Sequence, residues 1–338
     1  MALVPADELR AAGLGEATVA VLGYGSQGRA QALNLRDSGV SVIVGLREES
    51  PRRARARDDG LRVEGPKSAV AGADLVAMLV PDEAQPAVYA EIVEPALRPG
   101  GALVFAHGYN IHFGLIEPRD DLDVILVAPS GIGEQVRARY EAGHGTAGFV
   151  AVNRDASGQA RPRALAYARA LGEGRVAVIE TTFAEEVETD LFAEQAVLVG
   201  GLTELITTAF TTLDEAGYQP EIAYFCCLEE IKLMADLIYE QGLASLWDSI
   251  SSTAAFGGLR VGPHVVNDES RKAMREALSR IRDGQFAADL AREIRAGSPQ
   301  LESARQRLRE HPIEAVRGRL RALAKSGGVG PDGDKMAS

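Results

Sequence analysis

The sequence predicts an α/β, doubly wound N-terminal domain followed by an all-α C-terminal domain. Three observations carry that expectation. Short apolar β-type runs alternate with helical patterns over the first 180 or so of the 338 residues, a glycine-rich turn joins the first strong strand to the first helix, and the hydrophobic period changes from 2 to 3.6 near residue 182. The predicted organisation is therefore 1–182, 183–325 and a tail, 326–338, whose Ser-Gly-Gly-Val-Gly-Pro-Asp-Gly-Asp opening is turn formers and charge and is expected to be disordered. With 46% hydrophobic and 25% charged residues the chain has the composition of a globular protein with a real core. A net charge of −12 excludes nucleic acid or an anionic membrane as the main partner, because both demand a basic surface. The chain begins without the basic start and apolar core of a signal peptide, and no run of 18 uncharged apolar residues occurs, so a cytoplasmic location with no membrane partner is expected. Cys226 and Cys227 are the only cysteines and are adjacent, which rules out an ordinary structural disulfide between them and a cysteine-only zinc site.

Taken in order, residues 18–22 form the first strand, and Gly23-Tyr24-Gly25-Ser26-Gln27-Gly28 follows at once before a helix over 29–38. This strand, G-x-G-x-x-G, helix order is what a Rossmann dinucleotide site needs. Gly23 permits the tight turn, Gly25 lets the backbone approach a pyrophosphate, and Gly28 lets helix and strand pack closely. The second strand, 40–44, runs into Gly45-Leu46-Arg47-Glu48-Glu49-Ser50-Pro51-Arg52-Arg53. Arg47, Ser50 and Arg52 suit a 2′-phosphate and favour NADPH, while Glu48 or Glu49 could hold a ribose hydroxyl and keep NADH open. The plain alternative for residues 52–57 is a solvated basic helix face. Strands over 74–80, 102–106, 124–128, 147–152 and 176–179, with helices over 83–97 and 160–171, complete a mostly parallel sheet. Ligands bind such sheets outside the carboxyl ends of the strands. Two loops fall there: one holds His107, directly after a strand, and the other is Pro129-Ser130-Gly131-Ile132-Gly133.

Helical patterns cover 185–193, 195–216, 220–241, 243–252, 268–283, 286–296 and 301–323. Asp190 and Glu194 are four residues apart, so on a helix both carboxylates share a face and can aim at one hard cation; taken alone, such a pair is more commonly a solvated face. Glu230, on a neighbouring predicted helix, is the best candidate to join them, and an all-oxygen set favours Mg²⁺ or Mn²⁺. The stretch 196–213 is apolar nearly all round except for Glu204, and so few residues cannot enclose it, which predicts a homodimer or higher oligomer.

These strings together resemble the ketol-acid reductoisomerases in their short bacterial form. The resemblance rests on Gly23 to Gly28, Gly45-Leu46-Arg47 with Ser50, Ala106 to His112, Glu188 to Ala196, Tyr239-Glu240 with Ser249 to Ser251, and His311 to Glu314, in the family's order across nearly the whole chain. It implies a helical domain of interlocked, knotted type shared with a second copy. It also implies a two-step reaction in which two Mg²⁺ ions promote alkyl migration in a 2-hydroxy-2-alkyl-3-keto acid and NADPH reduces the product. By the same resemblance Asp190 would bridge the metals, Glu194 and Glu230 would bind them, Ser251 would contact the substrate carboxylate from the partner, and His107 would sit by the nicotinamide. The chain departs from that pattern where the family has a glutamate one turn before Glu230 (Cys226 here), where its loop reads Pro-Lys-Gly-Pro-Gly-His (Pro129 to Glu134 here), and where Thr-Ala-Glu-Tyr-Gly-Asp becomes Thr253 to Gly258 without the two acids. Losing metal ligands and a loop cation at once costs orders of magnitude in rate, so one metal ion or none, rather than two, is expected. The leading expectation is an NADPH-dependent reductase of a small anionic 2-keto acid, ketone or imine with its isomerase activity altered or lost. The alternatives are the full reductoisomerase of valine and isoleucine biosynthesis, a non-catalytic NADPH-binding subunit, and a softer metal site that uses Cys226 to recruit zinc or iron.

Overall fold

The computed structural model describes residues 2–326, so the segment expected to be disordered lies, from residue 327 on, outside the described residues. The chain divides into two compact units, with the boundary between Asp190 and Leu191. The first is built on nine strands: β1 (Ala2–Leu3), β2 (Thr18–Leu22), β3 (Ser41–Gly45), β4 (Arg62–Glu64), β5 (Leu75–Met78), β6 (Ala102–Phe105), β7 (Asp123–Pro129), β8 (Gly148–Arg154) and β9 (Val178–Glu180). They form one sheet in the order β1-β9-β8-β7-β6-β5-β2-β3-β4. All neighbours are parallel except β1 with β9 and β7 with β8. The chain reverses its direction of travel across the sheet between β2 and β5, the switch point at which an open α/β sheet leaves a crevice.

Strand side chains alternate between two separate cores. Val19, Val21, Leu75, Ala77, Val104 and Ile125 belong to one, with Leu33, Leu35 and Leu165 from covering helices. Ala20, Leu22, Val76, Met78, Leu103 and Leu126 belong to the other, with Tyr89, Val93 and Phe183. Both faces are therefore buried, the reason these strands read as continuous apolar runs. The nucleotide-loop helix starts at Ser26, three residues before the expected start, so Ser26, Gln27 and Gly28 of the glycine string already lie in its first turn. The predicted helix over 83–97 is a chain of short pieces, Asp82–Ala84, Gln85–Val88, a π-turn Tyr89–Val93 and Glu94–Ala96, because Pro86 and Pro95 each remove a backbone donor.

The helix Phe183–Ala193 packs its first two turns on the sheet, through buried Phe183 and Val187. For this reason the compact unit extends to Asp190, whereas the change of hydrophobic period marks only where the strands end. The second unit is all helical, with Gly200–Glu215, Pro220–Tyr224, Glu230–Ser249, Ser252–Val265, Asp268–Arg282, Gln285–Arg295, Pro299–Glu310 and Pro312–Ser326. Its core among the described residues is small, centred on Phe210, Ala223, Tyr224, Ile313 and Val316. Glu230–Ser249 is a helical run broken at Gly242, the position that separates the expected helices 220–241 and 243–252 and whose φ of 86° a side chain would resist. One detail escaped the sequence pattern: Ser252–Val265 is a helix despite Gly257, Gly258 and Pro263 because Ser251 caps it.

Candidate active site

At the crevice between β2 and β5, Gly23 has φ +100°, and a Cβ there would lie 2.4 Å from the Leu79 carbonyl oxygen. A Cβ on Gly28 would sit 2.4 Å from the Gly23 carbonyl, whereas one on Gly25 would meet nothing within 4 Å. The first and third glycines are thus needed for packing, and the second faces open space where a ligand backbone can approach. No side chain caps the helix Ser26–Asp37 at its N-cap Gly25, so the first-turn N–H groups are left to bind an anion. This geometry fits a dinucleotide pyrophosphate. Tyr24 is buried, and its hydroxyl donates to Asp59 at 2.8 Å; Arg29 grips the same carboxylate through Nε at 2.7 Å and Nη2 at 2.9 Å. The Arg29 guanidinium holds Asp59 down to a pKa of about 2, while burial and the hydrogen bond to Asp59 push the Tyr24 phenol up. Gln27 donates to the Gly131 carbonyl at 2.8 Å, and a Cβ on Gly133 would lie 2.2 Å from the Ser26 carbonyl, so the Ser130–Glu134 loop rests directly on the nucleotide turn. At the end of β3, Arg47 and Glu49 are exposed and pair at 3.4 Å, and the Arg52 amide donates to Ser50 Oγ at 3.4 Å.

The second feature lies just past β6. His107 Nδ1 is 3.1 Å from Glu186 Oε1 and 3.5 Å from Asp190 Oδ2. The other oxygen of Glu186 accepts from the Gly108 amide at 3.1 Å. Gly108 must be glycine: a Cβ would stand 2.7 Å from Phe183, 3.0 Å from Val187 and 3.2 Å from Leu126. Burial works against a charge on His107, but the hydrogen bond to Glu186 and the charges of Glu186, Asp190 and Asp82 outweigh it and raise its pKa to about 9. Burial likewise raises Asp190 and Asp82, each opposed by His107. His107 Nε2 is buried and has no hydrogen-bond partner among the described residues, which leaves one polar atom of the ring for a bound molecule. Asn110 ties the loop down by donating to the Asp82 carbonyl and Gln85 Oε1, both at 3.0 Å. Donor atoms of His107, Glu186 and Asp190 lie within 4.8 Å of one another, close enough to share one divalent ion or one proton network.

Of the residues expected from sequence, His107 and Asp190 are thus brought together in the first unit, beside the strand ends that carry Gly23 to Gly28. Glu194, Glu230 and Ser251 belong to the second unit. Glu194 opens a π-turn, Glu194–Leu198, and Glu230 directly follows another, Phe225–Glu229, that contains Cys226. Such single wide turns inside helices re-aim side chains and are frequent at functional sites. Ser251 Oγ accepts from the Ala254 amide at 3.2 Å. Cys226 is exposed, and Cys227 is pushed up by burial and by its neighbours Cys226 and Glu230. His311 stacks edge to face at 5.8 Å on Phe210 of the small helical core. Glu186 was missed by the sequence reading, although the signal was present: Glu186, Asp190 and Glu194 recur every four residues.

Residues 13–177 match the model of the acetohydroxy acid isomeroreductase NADPH-binding domain, and 183–326 that of the ketol-acid reductoisomerase C-terminal domain. The chain is 41% identical to an NADH-preferring ketol-acid reductoisomerase from an uncultured archean, over 96% of this chain and 99% of that one, with a TM-score of 0.91. Two more distant structures share the fold alone. A semialdehyde dehydrogenase NAD-binding protein from Cupriavidus necator has 19% identity, TM-score 0.62 and coverage of 79% and 99%. A putative oxidoreductase from Jannaschia sp. CCS1 has 17% identity, TM-score 0.61 and coverage of 80% and 98%.

Proposed function

Since the chain belongs to the ketol-acid reductoisomerase family and is an NAD(P)H-binding oxidoreductase, we propose that it reduces a small 2-keto acid or a related ketone or imine with NADPH, its alkyl-migration step altered or lost. The observation that carries this reading is the contrast between two halves of the site. The nucleotide turn and the His107–Glu186–Asp190 cluster are fully assembled, whereas the positions of Cys226 and Ser130 lack the carboxylate and the cation that the family pattern places there.

Gly23, Gly25 and the bare N-terminus of helix Ser26–Asp37 hold the pyrophosphate, and Arg47, Ser50 and Arg52 are the donors for a 2′-phosphate. Glu48 and Glu49 beside them are the acids that would accept NADH. Bound NAD(P)H supplies the hydride to the substrate's carbonyl or imine carbon. Glu186 fixes the His107 ring through Nδ1, so Nε2 is the atom that presents a proton to the oxygen or nitrogen gaining charge. Asp190, Glu194 and Glu230 each carry oxygen donors of the kind Mg²⁺ takes, and the ion when bound would polarise the carbonyl. One ion or none suits this set better than two, since Cys226 stands where the family has another carboxylate. Two copies are required to cover the helical unit, and the working species is a homodimer or larger, located in the cytoplasm.

The test is to supply, with Mg²⁺ and NADPH, either 2-acetolactate or the 2-keto-3-hydroxy acid that its alkyl migration yields. Reduction of the rearranged acid at least about 100-fold faster than turnover of 2-acetolactate is expected, the scale of a lost acid–base or metal contribution. Comparable rates would overturn the proposal and establish the second reading, a full reductoisomerase in branched-chain amino acid biosynthesis, which the 41% identity over 96% of the chain favours. Tight NADPH binding without oxidation by keto acids, imino acids or cyclic imines would instead identify a non-catalytic subunit.

A further inference from the structure

The first unit carries a second cleft, of about 500 Å³, at the opposite end of the nucleotide-loop helix. Ser26 starts that helix at the pyrophosphate turn, while Asp37 and Ser38 at its other end line the cleft. Twelve residues at 1.5 Å per residue put ~18 Å between them. The cleft is closed on one side by the helix Ala6–Ala11, which precedes the stretch that matches the family's domain model, residues 13–177.

Its lining has two characters. Leu9, Leu14 and Val40, with alanines of the helices, supply an apolar floor. Arg10, Arg169 and Arg175 supply three guanidinium groups in a chain whose overall charge is −12. The one carboxylate in the lining, Asp37, is already neutralised by Arg36 and Arg137, each at 2.7 Å. Arg175 donates to the Tyr140 and His144 carbonyls at 3.0 and 2.9 Å and lies over the Tyr140 ring at 4.3 Å. Arg169 donates to the Ala12 carbonyl, and Arg10 ion-pairs with no described residue. The Tyr140 and Ser38 hydroxyls bond each other at 2.7 Å, and Ser38 donates on to the Ala170 carbonyl at 2.7 Å, so the polar wall is braced before anything binds. Each arginine that is tied down spends part of its five-donor fork on a carbonyl and keeps the rest, and none of the three pairs with an acid among the described residues.

We propose that this cleft binds a small amphipathic carboxylate, its carboxylate on Arg10, Arg169 and Arg175 and its apolar tail on Leu9, Leu14 and Val40, apart from the hydride-transfer site. Arginine forks match a carboxylate in two-point geometry, and an apolar floor rewards a hydrocarbon tail that a bare phosphate lacks.

Sodium hexanoate is the probe, titrated by calorimetry into the full chain saturated with NADPH, with hexanol and inorganic phosphate as separated halves of its chemistry. Saturable millimolar or tighter binding of hexanoate is expected, with each control at least tenfold weaker. Arg10→Ala should weaken hexanoate at least fivefold and leave NADPH affinity within twofold of wild type. Arg169→Ala, checked by circular dichroism because it frees the Ala12 carbonyl, should do the same. The assignment is overturned by absence of saturable binding, by phosphate or hexanol binding as well as hexanoate, by displacement with NADPH, or by unchanged affinity in both arginine variants.

Discussion

His107 gains its chemistry from the two acids at Nδ1. A lone buried imidazole would lose its proton readily, but Glu186 at 3.1 Å and Asp190 at 3.5 Å reverse that and leave it cationic to about pH 9. Glu186 also anchors the loop through the Gly108 amide, so it positions both the ring and the backbone that carries it. Glu186→Gln keeps the shape but removes the charge. It is expected to lower kcat for ketone reduction about 10²-fold, the usual worth of an oriented acid–base group, with little change in the KM for NADPH. Steady-state kinetics with each substrate varied in turn checks this, and an unchanged kcat would place His107 outside the proton path. His107 was singled out from its position after a strand and Asp190 from its spacing of four from Glu194, whereas the partner the structure gives Asp190 is His107. Glu186 shares the four-residue recurrence with Asp190 and Glu194, but among the acids from Glu185 to Glu188 that spacing does not single it out until the β6 loop is laid against it.

At the scale of elements, the nucleotide turn depends on a strut that the glycine motif does not contain. Asp59, just after the helix Arg52–Asp58, receives Tyr24 and Arg29 together and so holds the turn from beneath. Its folded pKa of about 2 lies below the ~3.9 of an unfolded aspartate. The stabilisation is therefore complete above about pH 4 and is lost as pH falls toward 2. Asp59→Asn should cost about 1–2 kcal/mol at pH 7, allowing for partial solvent screening, and progressively less as pH drops. Urea melts of both proteins at pH 7 and pH 3 measure the difference, and a penalty as large at pH 3 would show that the ion pair is not its source. The turn itself was readable from residues 18–28. The strut was not, because a tyrosine, an arginine and an aspartate separated by 5 and 30 positions show no periodicity.

For the whole molecule, the dominant fact is how much apolar surface one copy of the helical unit leaves uncovered. The helical run Phe183–Glu215 is long and apolar enough by composition to cross a membrane, with mean hydropathy 1.5 over an 18-residue window of which only 6% is buried. The acids Glu186, Asp190 and Glu194, spaced by four on that same run, do not suit a lipid-facing wall. Exposed apolar side chains continue on the helix Ser252–Val265, where Phe256 is 67% and Leu259 63% exposed. A monomer with that surface would aggregate, and a second copy is the occupant we propose. Sedimentation velocity at micromolar concentration should show a species of at least twice the chain mass, and the double substitution Phe256→Glu with Leu259→Glu should weaken assembly at least tenfold. A wild-type chain that sediments as a soluble monomer would refute it.

Local order in the chain was enough to determine the alternation of strands and helices, the dinucleotide turn and the change to helical packing. Each is written in a period of two or four residues or in a contiguous string, and periodicity is what a sequence displays. Tertiary structure alone decided which distant residues share a charge. The Glu186 grip on His107, the Asp59 strut, the bare glycine at 108 and the arginine-lined cleft all join positions tens of residues or more apart, through contacts only the assembled sheet and its covering helices create.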